Sequence, residues 1–181
     1  VQVGNNATFE NCEIKVTDIR AGEGTYLNCA VAVLDGGTAT IKSGIYTAPY
    51  AAYVYSSGGT INIENGTFTG VVRADATTDA TATINIKNGS FKGDIQKSGG
   101  PGSETITITG GLFSSKPAKE CIANGYYVNA SNNGEYPYIV NDKDPGNATL
   151  VVVKDVAPDT SIAEDIKQAD KEAIDLVKGK T

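Results

Sequence analysis

Apolar and polar residues alternate along four segments of this chain that align with one another without gaps. The segments are 39–46, 61–68, 84–91 and 106–113. Each begins with the pattern apolar–polar–apolar–polar, continues through a turn that contains glycine, and ends on tyrosine or phenylalanine. Alternation with a period of two predicts a β-strand with one buried face. The dipeptide Asn65-Gly66 is typical of a tight turn, because both residues tolerate positive φ.

Equivalent positions recur at a nearly constant spacing. The turn glycines are 22, 23 and 22 residues apart: Gly44, Gly66, Gly89 and Gly111. Central isoleucines follow the same spacing: Ile41, Ile63, Ile86 and Ile108. So do the closing aromatics: Tyr46, Phe68, Phe91 and Phe113. A fifth copy lies upstream at an offset of 32, with Phe9, Cys12 and Ile14 matching Ile41, Gly44 and Tyr46, and its extra residues belong in a loop at 17–25.

The repeat favours a β-solenoid over a β-meander, because like residues at like positions stack directly when coils lie on one another. The isoleucine and aromatic ladders are then core, and Asn65 and Asn88 are expected to bond to one another along the stack. The sequence therefore predicts an all-β fold, a single-stranded right-handed parallel β-helix of about five coils of about 22 residues over 1–113.

The periodicity stops after Phe113. Residues 114–156 predict a C-terminal cap, with a helical turn at 114–124, a β-hairpin around Asn132-Asn133-Gly134 and a strand at 150–153. A cap is expected because a bare end coil exposes an unpaired edge. Apolar residues at helical spacing predict one acidic amphipathic α-helix at 161–178 within a third region, 157–181. That helix either packs on the coil or begins another domain.

Charge and composition exclude several classes of partner. The chain has 15 Lys and Arg against 21 Asp and Glu, a net charge of −6, so it lacks the basic footprint that nucleic acid or an anionic membrane requires. It has no run of 18 apolar residues, so no membrane insertion is predicted. The absence of His removes the commonest general base and transition-metal ligand. Because the pattern is already under way at Val1, we expect a piece of a longer protein.

Three cysteines leave two interpretations open. Cys12 and Cys29 would form a disulfide in an exported protein. Alternatively, Cys12, Cys29 and Cys121 are small buried residues, which is the commoner role of cysteine.

The parallel β-helix prompts a search for the carboxylates of polysaccharide lyases and hydrolases. The candidates are Arg73, Asp75 and Asp79 in one loop, with Asp94 one coil later. Two acids and an arginine suit acid–base chemistry or a Ca²⁺ site. The Ala-, Thr- and Asp-rich loop is also ordinary turn composition, and we favour a solvated turn. No other metal or cofactor is indicated.

Tyrosines cluster at Tyr50, Tyr53 and Tyr55, and such rings are surfaces on which sugars stack. If Tyr53 and Tyr55 stack on Val31 and Val33, they point into the coil. Tyr50 then remains the candidate for binding a sugar.

The segment Ile106-Thr-Ile-Thr-Gly-Gly-Leu-Phe113, followed by Lys-Pro-Ala-Lys-Glu-Cys-Ile-Ala-Asn-Gly-Tyr-Tyr-Val128, resembles a closing motif of repetitive surface proteins from Gram-positive gut bacteria, which carry pectate-lyase-like β-helix repeats. The resemblance covers about 7–140. It implies an exported, wall- or envelope-associated protein of the kind called adhesins. The catalytic residues of lyase relatives have no counterpart that can be placed on this sequence.

Three functions follow as hypotheses. The first is a non-catalytic extracellular surface or adhesion module that binds host or cell-wall glycan. The second is a polysaccharide lyase or glycoside hydrolase acting near Arg73, Asp75 and Asp79. The third is a segment of a phage fibre or tailspike.

Overall fold

The computed structural model describes residues 1–16 and 28–147. Residues Val1–Pro145 form one compact unit that is nearly all β. The loop at 17–25, the strand predicted at 150–153 and the helix predicted at 161–178 lie outside the described residues. The described strands are, in chain order, β1 (Gln2–Val3), β2 (Asn6–Phe9), β3 (Cys12–Lys15), β4 (Cys29–Val33), β5 (Thr38–Ile41), β6 (Gly44–Val54), β7 (Gly59–Ile63), β8 (Thr67–Ala74), β9 (Thr81–Ile86), β10 (Ser90–Lys92), β11 (Ile95–Lys97), β12 (Ser103–Ile108), β13 (Gly111–Phe113), β14 (Tyr127–Ala130) and β15 (Tyr138–Asn141).

Successive coils lie on one another, strand parallel to strand. On the side that we call the first face, β2, β5, β7, β9 and β12 pair. The second face contains β3, the start of β6, the start of β8, β10 and β13. The third face contains β1, β4, the end of β6, the end of β8 and β11. The predicted parallel β-solenoid is confirmed, and the path from the first repeat copy to the fifth makes about four turns.

The predicted stacking of equivalent positions is also confirmed. Strand register pairs the predicted isoleucine ladder directly, in the order Phe9, Ile41, Ile63, Ile86 and Ile108. On the second face the rings of Tyr46, Phe68, Phe91 and Phe113 stack with centroids 4.9 to 5.0 Å apart. We call these four rings the aromatic column, and each is at most 1% exposed. Because burial of apolar surface is the main favourable term in folding, the column and the ladder are core.

The predicted hydrogen bond between Asn65 and Asn88 along the stack does not form, and a single asparagine pair connects two coils at another position. The side-chain amide of Asn85 donates to the side-chain oxygen of Asn62 on the preceding coil at 2.9 Å. Asn65 and Asn88 instead each accept a hydrogen bond from the amide of the glycine that follows them, also at 2.9 Å. The side-chain oxygen of each turn asparagine is therefore used within its own turn. The hydrogen-bonded asparagine pair therefore lies on the polar side of the strands and not in the turns.

On the third face the register differs from the predicted stacking of Tyr53 and Tyr55 on Val31 and Val33, which are 22 residues away. Val31 pairs with Ala52 and Val33 with Val54, an offset of 21 rather than 22. The next paired positions are Thr38 and Thr60, so five residues, 55–59, separate the paired positions on one coil where four residues, 34–37, separate them on the other. An alignment without a gap that matches Gly36-Gly37 with Gly58-Gly59 therefore displaces the strands by one position from their true pairing.

A shift of one residue exchanges the two sides of a strand. The prediction that Tyr53 and Tyr55 point into the coil is therefore wrong. Tyr53 packs with Cys29 and Ala32 in a separate cluster on the outer side of the third face, and Tyr55 packs against the same cluster.

The predicted helical turn and hairpin follow the last coil. A 3₁₀ turn at Lys119–Cys121 buries Cys121, and Ile122 forms a parallel bridge with Ile108 of β12. Strand β15 pairs antiparallel with both β13 and β14. A second 3₁₀ turn at Pro145–Asn147 ends the described chain. The hairpin thus covers the last second-face strand.

Candidate functional site

The outer side of the third face carries a cluster of tyrosines. Tyr53 is 2% exposed and lies between two half-buried tyrosines. Its ring centroid is 5.3 Å from that of Tyr50 and 5.7 Å from that of Tyr55. Burial raises the pKa of Tyr53, and a hydrogen bond to Asp75 raises it further. Tyr50, the predicted sugar-binding residue, therefore packs on a neighbouring ring.

The candidate catalytic residues Arg73 and Asp75 lie on the same outer side, but Arg73 is part of strand β8, so its placement in a solvated loop is wrong. Arg73 is in register with Tyr53 on one coil and with Gln96 on the next. The hydroxyl of Tyr53 donates to Asp75 Oδ2 at 2.8 Å, and the hydroxyl of Ser98 donates to Asp75 Oδ1 at 2.9 Å. The Arg73 Nε atom is buried, and the described part of the chain offers it no hydrogen-bond partner.

The structure does not bring the other two predicted acids to this pair. Asp79 is exposed in the turn between β8 and β9. Asp94 is exposed at the corner before β11, where its carbonyl oxygen accepts a hydrogen bond from the amide of Val72. Gln96, rather than Asp94, lies beside Arg73 on the next coil. Within residues 1–16 and 28–147, no group of three or more Cys, Asp or Glu side chains is arranged to hold a metal ion.

Sequence reasoning missed Glu104, which organises the turn beside Asp75. Its carboxylate accepts hydrogen bonds from the amides of Ala76, Gly99 and Gly100 at 3.0 to 3.1 Å, and it shares the single hydroxyl proton of Ser98 with Asp75. Burial alone would raise the pKa of Glu104, but these hydrogen bonds together outweigh burial and lower it. The carboxylate therefore joins the turns of two coils as a charged acceptor.

This arrangement predicts an acid-sensitive contribution to stability. Because the pKa of Glu104 is lower in the folded chain than in the unfolded chain, its contribution is present above the unfolded value of about 4.3 and is lost as pH falls through the folded value. We expect urea unfolding midpoints to fall more between pH 7 and pH 3 for the wild-type chain than for Glu104→Gln.

The matched control is Glu13→Gln, because Glu13 is an exposed glutamate in β3. It should keep the pH dependence of the wild-type chain. Equal pH dependence in Glu104→Gln and the wild-type chain would contradict the role assigned to this carboxylate.

A pocket of about 290 Å³ lies at the C-terminal end of the solenoid. We call it the cap pocket. Its lining comes from the segment around the first 3₁₀ turn, from the start of β14 and from the second 3₁₀ turn: Lys116, Pro117, Lys119, Ile122, Tyr126, Tyr127, Val128 and Pro145. Ile122, Tyr126 and Val128 also pack on the solenoid core, so the floor of the pocket is fixed to the last coil.

Tyrosine side chains give the cap pocket both an apolar and a polar character. Tyr126 and Tyr127 are half-buried. A tyrosine ring offers a flat apolar surface with a hydroxyl at its tip, which suits ligands that combine apolar faces and hydroxyl groups. A volume near 300 Å³ is at the lower end of small-molecule sites. The pocket therefore suits a ligand of one or two rings.

The cysteines are structural. Cys12 is a free thiol in β3, so it does not form a disulfide with Cys29. The Cys12 sulfur lies 3.3 Å from the hydroxyl of Tyr46, at the first ring of the aromatic column. Burial raises the pKa of Cys29 to about 12 and also raises that of Cys121. The interpretation as small buried residues fits Cys29 and Cys121, whereas Cys12 is half-buried.

None of the described helices has the length and apolar character needed to cross a bilayer. No family model, curated protein or solved structure matches the chain. The functional argument therefore depends on the geometry of the described residues and on the repeat motif.

Proposed function

We propose that this chain is a non-catalytic carbohydrate-binding module of a larger extracellular surface or adhesion protein. The observation that carries the proposal is the cap pocket, where two tyrosines and two lysines line one depression of about 290 Å³. The apolar face of a pyranose ring packs on a tyrosine ring, while sugar hydroxyls exchange hydrogen bonds with polar groups at the rim. A sugar is thus the ligand class that would contact both the tyrosine rings and the polar groups of the pocket.

The hydrogen bonds of Asp75, one of the candidate catalytic acids, and of the neighbouring Glu104 support a non-catalytic role. Both carboxylate oxygens of Asp75 accept hydrogen bonds from side chains of the solenoid. Both oxygens of Glu104 accept hydrogen bonds from backbone amides. Carboxylates that connect coils in this way serve the fold, whereas a general acid and base must face a bound substrate.

The proposed location outside the cell depends on the resemblance of the segment at 106–128 to the closing motif of bacterial surface proteins. A solenoid suits that setting, because its length grows by repetition and holds a terminal pocket away from the point of attachment.

A second candidate function is polysaccharide cleavage. The specific observation in its favour is Arg73, whose buried Nε lacks a hydrogen-bond partner among the described residues and which shares a face with Asp75. The guanidinium of this half-buried arginine has further N–H donors, which would serve as binding groups for an acidic polysaccharide.

One experiment separates the two functions. We expect the purified chain to bind a subset of glycans on an array and to release no shortened products from them. Tyr127→Ala should weaken binding about tenfold or more, because an aromatic contact of about 1.4 kcal/mol is lost.

Tyr136→Ala is the matched control, since Tyr136 lies in the same hairpin region but does not line the pocket. It should leave affinity within about twofold. Absence of binding to any glycan would overturn the proposal. Product release that Arg73→Ala abolishes would establish the second candidate instead.

A further inference from the structure

The cap pocket is positively charged at its rim. Lys116 and Lys119 are exposed and both line it, and among the described residues no carboxylate lines it. Glu120 follows Lys119 in the chain but is not part of the lining. The chain as a whole carries a net charge of −6, so this cationic rim is a local exception.

Three lysines elsewhere on the solenoid have carboxylate partners. Lys42, Lys87 and Lys92 approach Glu10, Glu64 and Glu135 at 3.5, 3.8 and 2.9 Å, respectively.

Lys116 and Lys119 form no ion pair within residues 1–16 and 28–147. Each ammonium group has three donors and no acceptor. Both are therefore available to an anion that enters the pocket.

The segment that carries these lysines is held by the core. Pro117, next to Lys116, is buried. Lys119 begins the 3₁₀ turn whose last residue, Cys121, is 3% exposed. On the opposite side, the amide of Tyr126 donates to the carbonyl oxygen of Ala123 at 3.1 Å, which positions the start of β14. The backbone thus sets the lysines and the tyrosine rings at fixed places around one depression.

Deepening the proposed function, on which this inference rests, we propose that the cap pocket binds the terminal sugar of a glycan through a carboxylate on that sugar. Its pyranose ring packs on Tyr126 or Tyr127, and its carboxylate lies between the ammonium groups of Lys116 and Lys119. A neutral sugar leaves both cations unused. The small volume and the position at the end of the solenoid select a chain terminus rather than an internal residue of a polymer.

Charge also sets how binding responds to salt. The acidic chain repels a polyanion at long range, so attraction is confined to the neighbourhood of the two lysines. Contacts between exposed charges are screened over about 8 to 10 Å at physiological ionic strength. Affinity for an acidic sugar should therefore fall as salt is added, while affinity for a neutral sugar should change little.

The test uses calorimetric titration of the full chain with four probes: sialyllactose, a glucuronate-terminated oligosaccharide, lactose and sulfated lactose. We expect both carboxylate-bearing probes to bind about tenfold or more tightly than lactose. The double variant Lys116→Gln/Lys119→Gln should lose that advantage and bind all four probes alike. Lys15→Gln makes a single such charge change in β3, at the other end of the solenoid, and should keep it within about twofold.

Each other outcome is decisive. Equal affinity for lactose and the carboxylate-bearing probes would overturn this inference and leave the proposed function standing. Sulfated lactose bound as tightly as sialyllactose would replace carboxylate recognition by general anion binding. An equal loss in Lys15→Gln would show that net charge, and not the pocket, attracts the probe. No binding of any glycan, here or on the array, would overturn the proposed function itself.

Discussion

Replacing Phe91 by alanine is expected to cost about 3–5 kcal/mol of unfolding free energy. Its ring is 1% exposed and stacks on a ring from each neighbouring coil, with centroids 4.9 Å from Phe68 and 5.0 Å from Phe113. Truncation removes contacts on both sides and leaves a cavity that three backbone-hydrogen-bonded coils cannot close. Urea unfolding followed by circular dichroism measures the loss.

Ile45→Ala is the matched control on the same face. Ile45 is 48% exposed and lies one residue before Tyr46 in β6, so its truncation should change stability by about 0.5 kcal/mol or less. Phe91→Leu keeps most of the volume and should show a smaller loss of the same sign, which preserves the test if the alanine variant does not fold. Equal losses for Phe91→Ala and Ile45→Ala would contradict the aromatic column as the core.

Replacing Gly70 by alanine is expected to prevent folding or to cost more than about 4 kcal/mol. Gly70 lies where β8 bends from the second face to the third, with φ of +125°. A Cβ atom there would lie 1.8 Å from the carbonyl oxygen of Ala48 on the adjacent coil. The obstacle is backbone, so no side-chain rotation relieves the clash. Soluble yield and thermal unfolding provide the measurement.

Gly4→Ala is the contrasting substitution. A Cβ atom at Gly4 would meet no heavy atom within 4 Å, and the φ of this residue lies outside the left-handed region. Alanine there restricts the unfolded chain without straining the folded one, so stability should stay the same or rise by about 0.4–1 kcal/mol. Similar losses in the two variants would show that the corner at Gly70 does not require glycine.

The solenoid was predictable from sequence because its first two faces repeat both residue type and spacing. Ile63 and Ile86 lie in identical strand–turn units, so any correct alignment stacks them, and the same holds for Phe68 and Phe91. The alternation of apolar and polar residues then predicts which side of each strand is buried. No tertiary information beyond the repeat is needed for this part of the fold.

The third face was not predictable in the same way. Its register depends on one additional residue between the paired positions Val54 and Thr60, and Gly36-Gly37 aligns with Gly58-Gly59 whether or not a gap is placed before the glycines. A one-position error moved Tyr53 from the outer side to the interior. The length of this turn, which the sequence pattern does not reveal, therefore determines on which side of the strand the tyrosine cluster lies.

The candidate site was visible in part. Lys116, Lys119, Tyr126 and Tyr127 stand close together in a segment that the sequence marks as a closing motif, but its composition does not state that the four side chains surround one depression. The role of Glu104 is less visible still. Its partners are backbone amides of turns from two coils, whose directions depend on conformation and not on residue type.

The reversal of strand direction at β15 has a consequence for how proteins of this design change in length. A parallel strand such as β13 would accept another coil in the same orientation, but an antiparallel strand occupies its outer edge. Extension at this end is therefore blocked by polarity. New coils of about 22 residues can instead be inserted within the stack, each adding about 4.8 Å, and such a duplication leaves Lys116, Lys119 and the terminal hairpin intact. The length of the solenoid and the proposed binding at the cap pocket can thus evolve separately, the first by duplication of repeats and the second by point substitution.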